Sequence, residues 1–245
     1  MYYLWLIFLA FNQNIWIATS ESSHLLPSFL SAQDPEKAHK GRFLQPAAEF
    51  LVNTEFYNNQ SKPAISKLKD QSYVVVWQSD YLDGSGWGIA AKIFYDNGTV
   101  RKDEFIVNTN TEGDQMAPDV MGLNNGNFVV AWTCMDPSTY ADICFQIFDQ
   151  DGDKVGDELI ANDFDFGYQD TPRIINTGMG SFALAYQSDF FDGVGYAAVI
   201  RPFQEDGVAY ANEWKTTVYI ASDQHQPDGK FIADDQYLMV WRSFG

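Results

Sequence analysis

The sequence predicts an all-β fold, a β-propeller-like array of four-stranded antiparallel blades about three and a half repeats long. Three observations predict it. An apolar stretch recurs as Tyr73-Val74-Val75-Val76-Trp77-Gln78-Ser79, then from Phe128 to Thr133, Phe182 to Ser188 and Tyr237 to Ser243. Its closing aromatics Trp77, Trp132, Tyr186 and Trp241 lie 55, 54 and 55 residues apart. A Gln-x-x-Pro signal ending at Pro63, Pro118, Pro172 and Pro227 keeps the same period, and Asn97-Gly98, Asp151-Gly152 and Asp206-Gly207 mark tight hairpins in step with it. A fixed period of this size means one supersecondary unit copied in tandem.

Each unit reads as four strands. The first follows the Gln-x-x-Pro signal, with proline expected at the strand's first residue, where no ladder donor is needed. The second is the recurring stretch. It is apolar at odd and even positions alike, so both faces of the sheet are expected to be covered. The third strand spans Ile89 to Phe94 and its copies, where Pro202 breaks the rule for a central strand and is read as a bulge. The fourth is expected from Glu104 to Thr109, with copies starting at Glu49, Glu158 and Glu213. Short hairpin loops argue against a Greek-key sandwich, and a repeat this long argues against a solenoid rung. Blades stacked face to face explain double-sided burial without helices.

Residues 1–20 carry no charged side chain, begin with an apolar run, and place Ala18 and Ser20 before Glu21, as in a secretory signal peptide. Residues 21–46, with Pro27, Pro35 and Pro46, read as a leader or linker. The repeat domain is placed at 47–245, with units at about 49–103, 104–157, 158–212 and a partial one at 213–245. Pairing of Glu49–Thr54 with Tyr237–Ser243 would close a small ring. The end of the last unit after two strands favours an incomplete array with an open edge.

Apolar content of 46% excludes a disordered chain, and a formal net charge of −18 excludes nucleic-acid and anionic-membrane partners. No segment after residue 20 is apolar enough to span a bilayer.

The motif Glu104-Phe105-Ile106-Val107-Asn108-Thr109, Gln115 to Pro118, Phe128 to Trp132 and Asp83-Gly84-Ser85-Gly86 resembles tandem repeats of large secreted bacterial surface and haemolysin-type, calcium-associated proteins and of some protist secreted proteins. The resemblance covers about residues 49–245 and implies a propeller-like, non-enzymatic extracellular module with no catalytic residues to carry over. The second unit departs from it, with Met135 to Thr139 in place of Asp-Gly-x-Gly.

Ser79-Asp80-Tyr81-Leu82-Asp83-Gly84 recurs from Ser188 through Asp189 and Asp192 to Gly193. Asp80, Asp83, Asp189 and Asp192 are therefore candidate Ca²⁺ ligands, against the alternative that Asp and Gly simply make good turns. No other cofactor is implied. Cys134 and Cys144 flank one hairpin and are expected to form a disulfide in an oxidising compartment. Asn59 and Asn97 head glycosylation sequons at turns. His24, His39 and His225 are scattered, and no nucleophile elbow, metal box or phosphate loop is present. The expected function is a secreted, acidic, non-enzymatic platform for protein or glycan partners, or for self-association through an open blade edge. The alternative is a glycan-processing enzyme, a sialidase-like propeller glycosidase, although Arg101, Arg173, Arg201 and Arg242 share no repeat position.

Overall fold

The computed structural model describes residues 8–11, 14–19, 48–54, 58–135, 140–178, 180–191, 193, 195–216, 223–233 and 236–243. Every regular element among them is a strand. The first sheet joins β1 (Phe8–Phe11), β2 (Asn14–Thr19) and β3 (Ala48–Leu51). The second is an antiparallel meander of β4 (Gln60–Lys67), β5 (Tyr73–Asp80), β6 (Trp87–Phe94) and β7 (Val100–Ile106). The third repeats it with β8 (Gln115–Gly122), β9 (Phe128–Met135), β10 (Ala141–Phe148) and β11 (Lys154–Ile160). The fourth comprises β12 (Gln169–Asn176), β13 (Ser181–Asp189), β14 (Tyr196–Gln204) and β15 (Trp214–Lys215), and the fifth β16 (Gln224–Ala233) and β17 (Gln236–Ser243).

The double-sided apolar pattern works as expected. Val74, Val76 and their sheet neighbours pack with Val120, Val130 and Trp132 of the third sheet, while Tyr73, Val75 and Trp77 face Phe50 and Val52. Val129 and Ala131 meet Phe182, Leu184 and Tyr186 of the fourth sheet, and Ala183 and Ala185 meet Tyr237 and Met239 of the fifth. Val74, Val129 and Leu184 are wholly buried. The core is thus a series of inter-sheet layers, as in a propeller.

The sheets pack in chain order but do not close into a ring. β3 pairs with β2 and β17 with β16, so the pairing that would join Glu49–Thr54 to Tyr237–Ser243 does not form. Two strands of the first sheet lie in the segment read as a signal peptide, so cleavage after Ser20 would leave β3 without its partner.

Three local expectations are corrected. The prolines are not first in their strands: each first strand begins at the glutamine three residues earlier, and Pro63, Pro118 and Pro172 sit where the register to the next strand shifts. Two fourth strands, β7 and β11, begin before the expected glutamate and stop short of the asparagine, whereas β15 begins one residue after Glu213. Val107 N–H donates to Ile89 O, and the Asn108 amide oxygen then accepts the Ile89 N–H at 2.9 Å, so a side chain finishes the ladder. Ala161 and Asn162 repeat this on Ile143. Finally, β13 and β14 stay in continuous register through Pro202, without a bulge. On the other side of β14 the partner strand shrinks to Trp214–Lys215, paired with Ile200 and Val199, which leaves Pro202 outside the part of the ladder that would need its N–H.

Candidate functional site

The first strands β4, β8, β12 and β16 lie side by side and together line a cavity of about 400 Å³. Its wall is made by the bulge in each strand: Lys62-Pro63-Ala64, Ala117-Pro118-Asp119, Thr171 and Arg173, and Gln226-Pro227-Asp228. The residue before each proline holds a left-handed backbone, with φ of 54° at Lys62, 52° at Ala117, 53° at Thr171 and 52° at Gln226. Proline disfavours helical conformations in the residue it follows and left-handed backbone is costly for any residue with a Cβ, so a fourfold repeat of this strain needs fixing from outside.

The preceding sheet supplies that fixing. Gln78 Oε1 accepts the Ala117 N–H at 2.9 Å, Thr133 Oγ1 the Thr171 N–H at 3.1 Å, and Gln187 Oε1 the Gln226 N–H at 2.9 Å. The residue after the strand's closing aromatic therefore clamps the next sheet's bulge. A second clamp runs backwards. The fourth-strand glutamates Glu104, Glu158 and Glu213 accept the backbone N–H groups of Thr54, Thr109 and Phe164 in the connection before the neighbouring first strand. The glutamate and asparagine of the repeat motif are thus scaffold.

The position after the proline is where the copies differ. It holds Ala64, Asp119, Arg173 and Asp228, and the three charged side chains enter one cavity. Asp119 Oδ2 accepts the Ile174 N–H at 2.8 Å and Oδ1 the Val120 N–H at 3.0 Å, which fixes the carboxyl group between two sheets. Burial pushes its pKa above the usual carboxylate range, against the downward pull of the Ile174 N–H, Arg173 and the Val120 N–H, and Asp228 adds to the rise. Near the start of the same strands a second group forms. Burial also raises Asp170, against hydrogen bonds from Thr171 and Gln187 and the neighbouring His225. His225 lies 3.8 Å from Asp223 and packs its ring on Tyr196 at 4.8 Å. A carboxyl group with a raised pKa beside a second carboxylate and a guanidinium has the makings of a proton donor to a leaving oxygen.

The residues singled out from sequence fall elsewhere. Asp83 Oδ2 accepts a hydrogen bond from Asn108 Nδ2 at 2.7 Å and Oδ1 from Ser85 N at 3.1 Å, so both oxygens serve the loop. Asp80 and Asp189 end their strands where the same turn begins, and Asp192 lies outside the described residues. Among the described residues no group of three or more His, Cys, Asp or Glu side chains is placed to hold a metal ion. Cys134 and Cys144 form the expected disulfide, with Cα atoms 5.8 Å apart. Asn59 and Asn97 are exposed. Arg101 pairs with Asp70 and Asp151, and Arg201 with Asp163 at 2.8 Å, so both tie loops together; Arg173 alone of the four lines the cavity. His24 and His39 lie outside the described residues.

No protein-family model matches the chain, and no curated protein matches it. Solved structures do. The fold is similar to that of a thermostable family-43 glycoside hydrolase, at 11% identity over 97% of this chain and 82% of the other, with a TM-score of 0.52. It is also similar to that of an α-L-arabinofuranosidase from Lactobacillus brevis, at 12% identity over 80% of this chain and 71% of the other, with a TM-score of 0.50. The propeller-type fold is shared with both. The expectation of a non-enzymatic module is corrected by this finding, because both of these proteins of similar fold are glycoside-cleaving enzymes. No contiguous motif marks this group, because Asp119, Arg173 and Asp228 are brought together only by the stacking of sheets. The signal that could have found them was charge in three of the four copies at the position after the repeat's proline.

Proposed function

We propose that this protein hydrolyses glycosidic bonds, with the cavity between the first strands as its active site. The observation that carries the reading is the convergence of Asp119, Asp228 and Arg173 on one cavity in a fold that family-43 glycoside hydrolases also use. In this reading Asp119, whose pKa burial raises, gives a proton to the leaving oxygen. Asp228, more exposed at the same cavity, acts as the second carboxylate, on water or on the sugar carbon. Arg173 orients hydroxyl groups of the bound sugar and steadies the carboxylates. Extracellular location belongs to the same reading, since polymeric glycans are met there.

The test is hydrolysis of a panel of aryl glycosides that includes an aryl α-L-arabinofuranoside, by the wild type and by Asp119→Asn and Asp228→Asn. Each substitution is expected to lower kcat/KM by about a hundredfold or more; Asp228→Asn should leave Tm within about 3 °C, while Asp119→Asn, which takes an acceptor from one backbone N–H, should lower it by several degrees and still leave a folded protein. Hydrolysis that survives both substitutions, or none by the wild type on any member of the panel, overturns the reading.

A further inference from the structure

The third unit departs from its neighbours at one pair of loop positions. In the second sheet Gly86 packs against Asp114, whose Oδ1 accepts the Trp87 N–H at 3.0 Å. The fourth sheet repeats the device, with Gly195 against Asp223, whose Oδ1 accepts the Tyr196 N–H at 3.1 Å. At the equivalent positions between them the third unit has Tyr140 and Tyr168. A tight glycine–carboxylate contact is replaced by two phenol rings with centroids 5.4 Å apart. Phe166 joins Tyr140 at 5.7 Å and Phe190 joins Phe166 at 5.8 Å, so four rings form one connected cluster. In a core such rings would be hidden. Here Tyr140 and Tyr168 are 40% exposed, Phe190 46% and Phe166 53%.

The cluster is not needed to hold its loops. The disulfide Cys134–Cys144 ties the hairpin from which Tyr140 projects. The Asp189 N–H donates to Tyr168 O at 2.8 Å, and Gly167 packs so closely on Asp189 that an added Cβ would lie 3.0 Å from its carbonyl oxygen. The rings therefore stand on fixed backbone, so little conformational freedom remains to be lost on binding. They also stand beside the proposed active site. Tyr168 directly precedes β12, and Thr171 of the cavity wall is three residues further on, roughly 10 Å along an extended strand.

We propose that Tyr140, Phe166, Tyr168 and Phe190 form a glycan-binding platform that stacks sugar rings of a neutral polysaccharide and leads the chain to the cavity. The proposal rests on the glycosidase reading for its ligand class. Flat rings with exposed faces suit the C–H faces of sugars, and the Tyr hydroxyls and Asp165 and Asp189 at the rim suit sugar hydroxyls. With a net charge of −18 the protein disfavours polyanions, which selects neutral glycans.

The test measures binding of soluble arabinoxylan and linear arabinan, with polygalacturonate as the anionic control, by affinity electrophoresis and calorimetry. All variants carry Asp119→Asn so that no ligand is consumed. Phe190→Ala and Tyr168→Ala are expected to weaken binding of at least one neutral polymer by about tenfold each. The double variant Tyr140→Gly with Tyr168→Asp rebuilds the glycine–carboxylate pair of the flanking units. It should fold with an undiminished Tm and still lose binding, which keeps the test informative if an alanine variant misfolds. Undiminished binding in folded variants overturns the platform. So does a drop in oligomer mass on light scattering without loss of glycan binding, which would assign the rings to a second copy of the chain. Binding that depends on the rings in a protein without hydrolytic activity sustains the platform and sinks the glycosidase reading. Hydrolysis with ring-independent binding does the reverse.

Discussion

Gly86→Ala is the sharpest probe of how neighbouring sheets lock together. At Gly86 φ is +46°, and an added Cβ would lie 2.3 Å from Asp114 Oδ1 and 3.4 Å from Gly113 O. The left-handed backbone alone costs an alanine about 1–2 kcal/mol. Displacing Asp114 also breaks its bond to the Trp87 N–H, worth about 1.5–3 kcal/mol for a charged acceptor. A loss near 3 kcal/mol should lower Tm by roughly 6–12 °C in a domain of this size. The double-mutant cycle separates the parts. In an Asp114→Ala background the close contact is gone, so Gly86→Ala should cost only the backbone share and the two changes should couple by about 1.5 kcal/mol or more. Calorimetric melting or urea titration of the four proteins reads this directly. Tyr140 supplies the natural control, since at the same repeat position it has no left-handed backbone. A Gly86→Ala protein melting within about 1 °C of the wild type, or an equal loss with and without Asp114, would refute the reasoning.

Removing the disulfide as Cys134→Ala with Cys144→Ala should cost on the order of 2–3 kcal/mol, and a Tm that ignores both the substitutions and a reductant would count against the bridge as a staple. Gln187→Ala should cost about 1–3 kcal/mol, because the Gln226 N–H at the bulge loses its acceptor, and Gln187→Glu should recover part of the loss. Stability should respond to acid in an unusual direction. Burial raises Asp119, Asp170 and Glu213, so between the ordinary carboxylate pKa of about 4 and their raised values the folded chain binds more protons than the unfolded one, and stability falls as pH rises through that window. Asp103, held low first by its hydrogen bond from Lys92, acts oppositely and costs stability only below about 4. Tm is expected to peak on the acid side of neutral, and a steady climb to pH 8 would contradict the burial of those three groups.

The scaffold was legible because its rules are periodic. Double-sided burial followed from the unbroken apolar run Tyr73 to Trp77, and the turns between third and fourth strands from Asn97-Gly98, Asp151-Gly152 and Asp206-Gly207. The disulfide followed from two cysteines on paired strands. What escaped was set by contacts between units. The proline bulge cannot be read from Gln-x-x-Pro, because the left-handed residue before it is held by a glutamine or threonine about 39 residues earlier. Asp83 looked like a metal ligand because its partner, Asn108, comes 25 residues later, just beyond the end of β7. The roles of Glu104, Glu158 and Glu213 were hidden likewise, since each serves a backbone N–H in the adjoining unit.

The same distinction locates function. Tandem copying keeps a residue only where every unit meets the same neighbour, so Gln60, Gln115, Gln169 and Gln224, all buried, and the four prolines stay fixed. A position that varies while the surrounding backbone does not is free of that duty. Two such places carry the chemistry proposed above: the residue after the proline, which becomes Ala64, Asp119, Arg173 and Asp228, and the glycine–carboxylate pair that becomes Tyr140 and Tyr168. One gathers charge around a cavity and the other gathers exposed rings on three neighbouring loops, one of which leads into β12 and the cavity wall. Neither change improves packing, since burying a carboxyl group and exposing four aromatic rings both cost stability. A chain that keeps its inter-sheet clamps in register while departing from them at adjoining sites is best understood as a rigid frame with one specialised face.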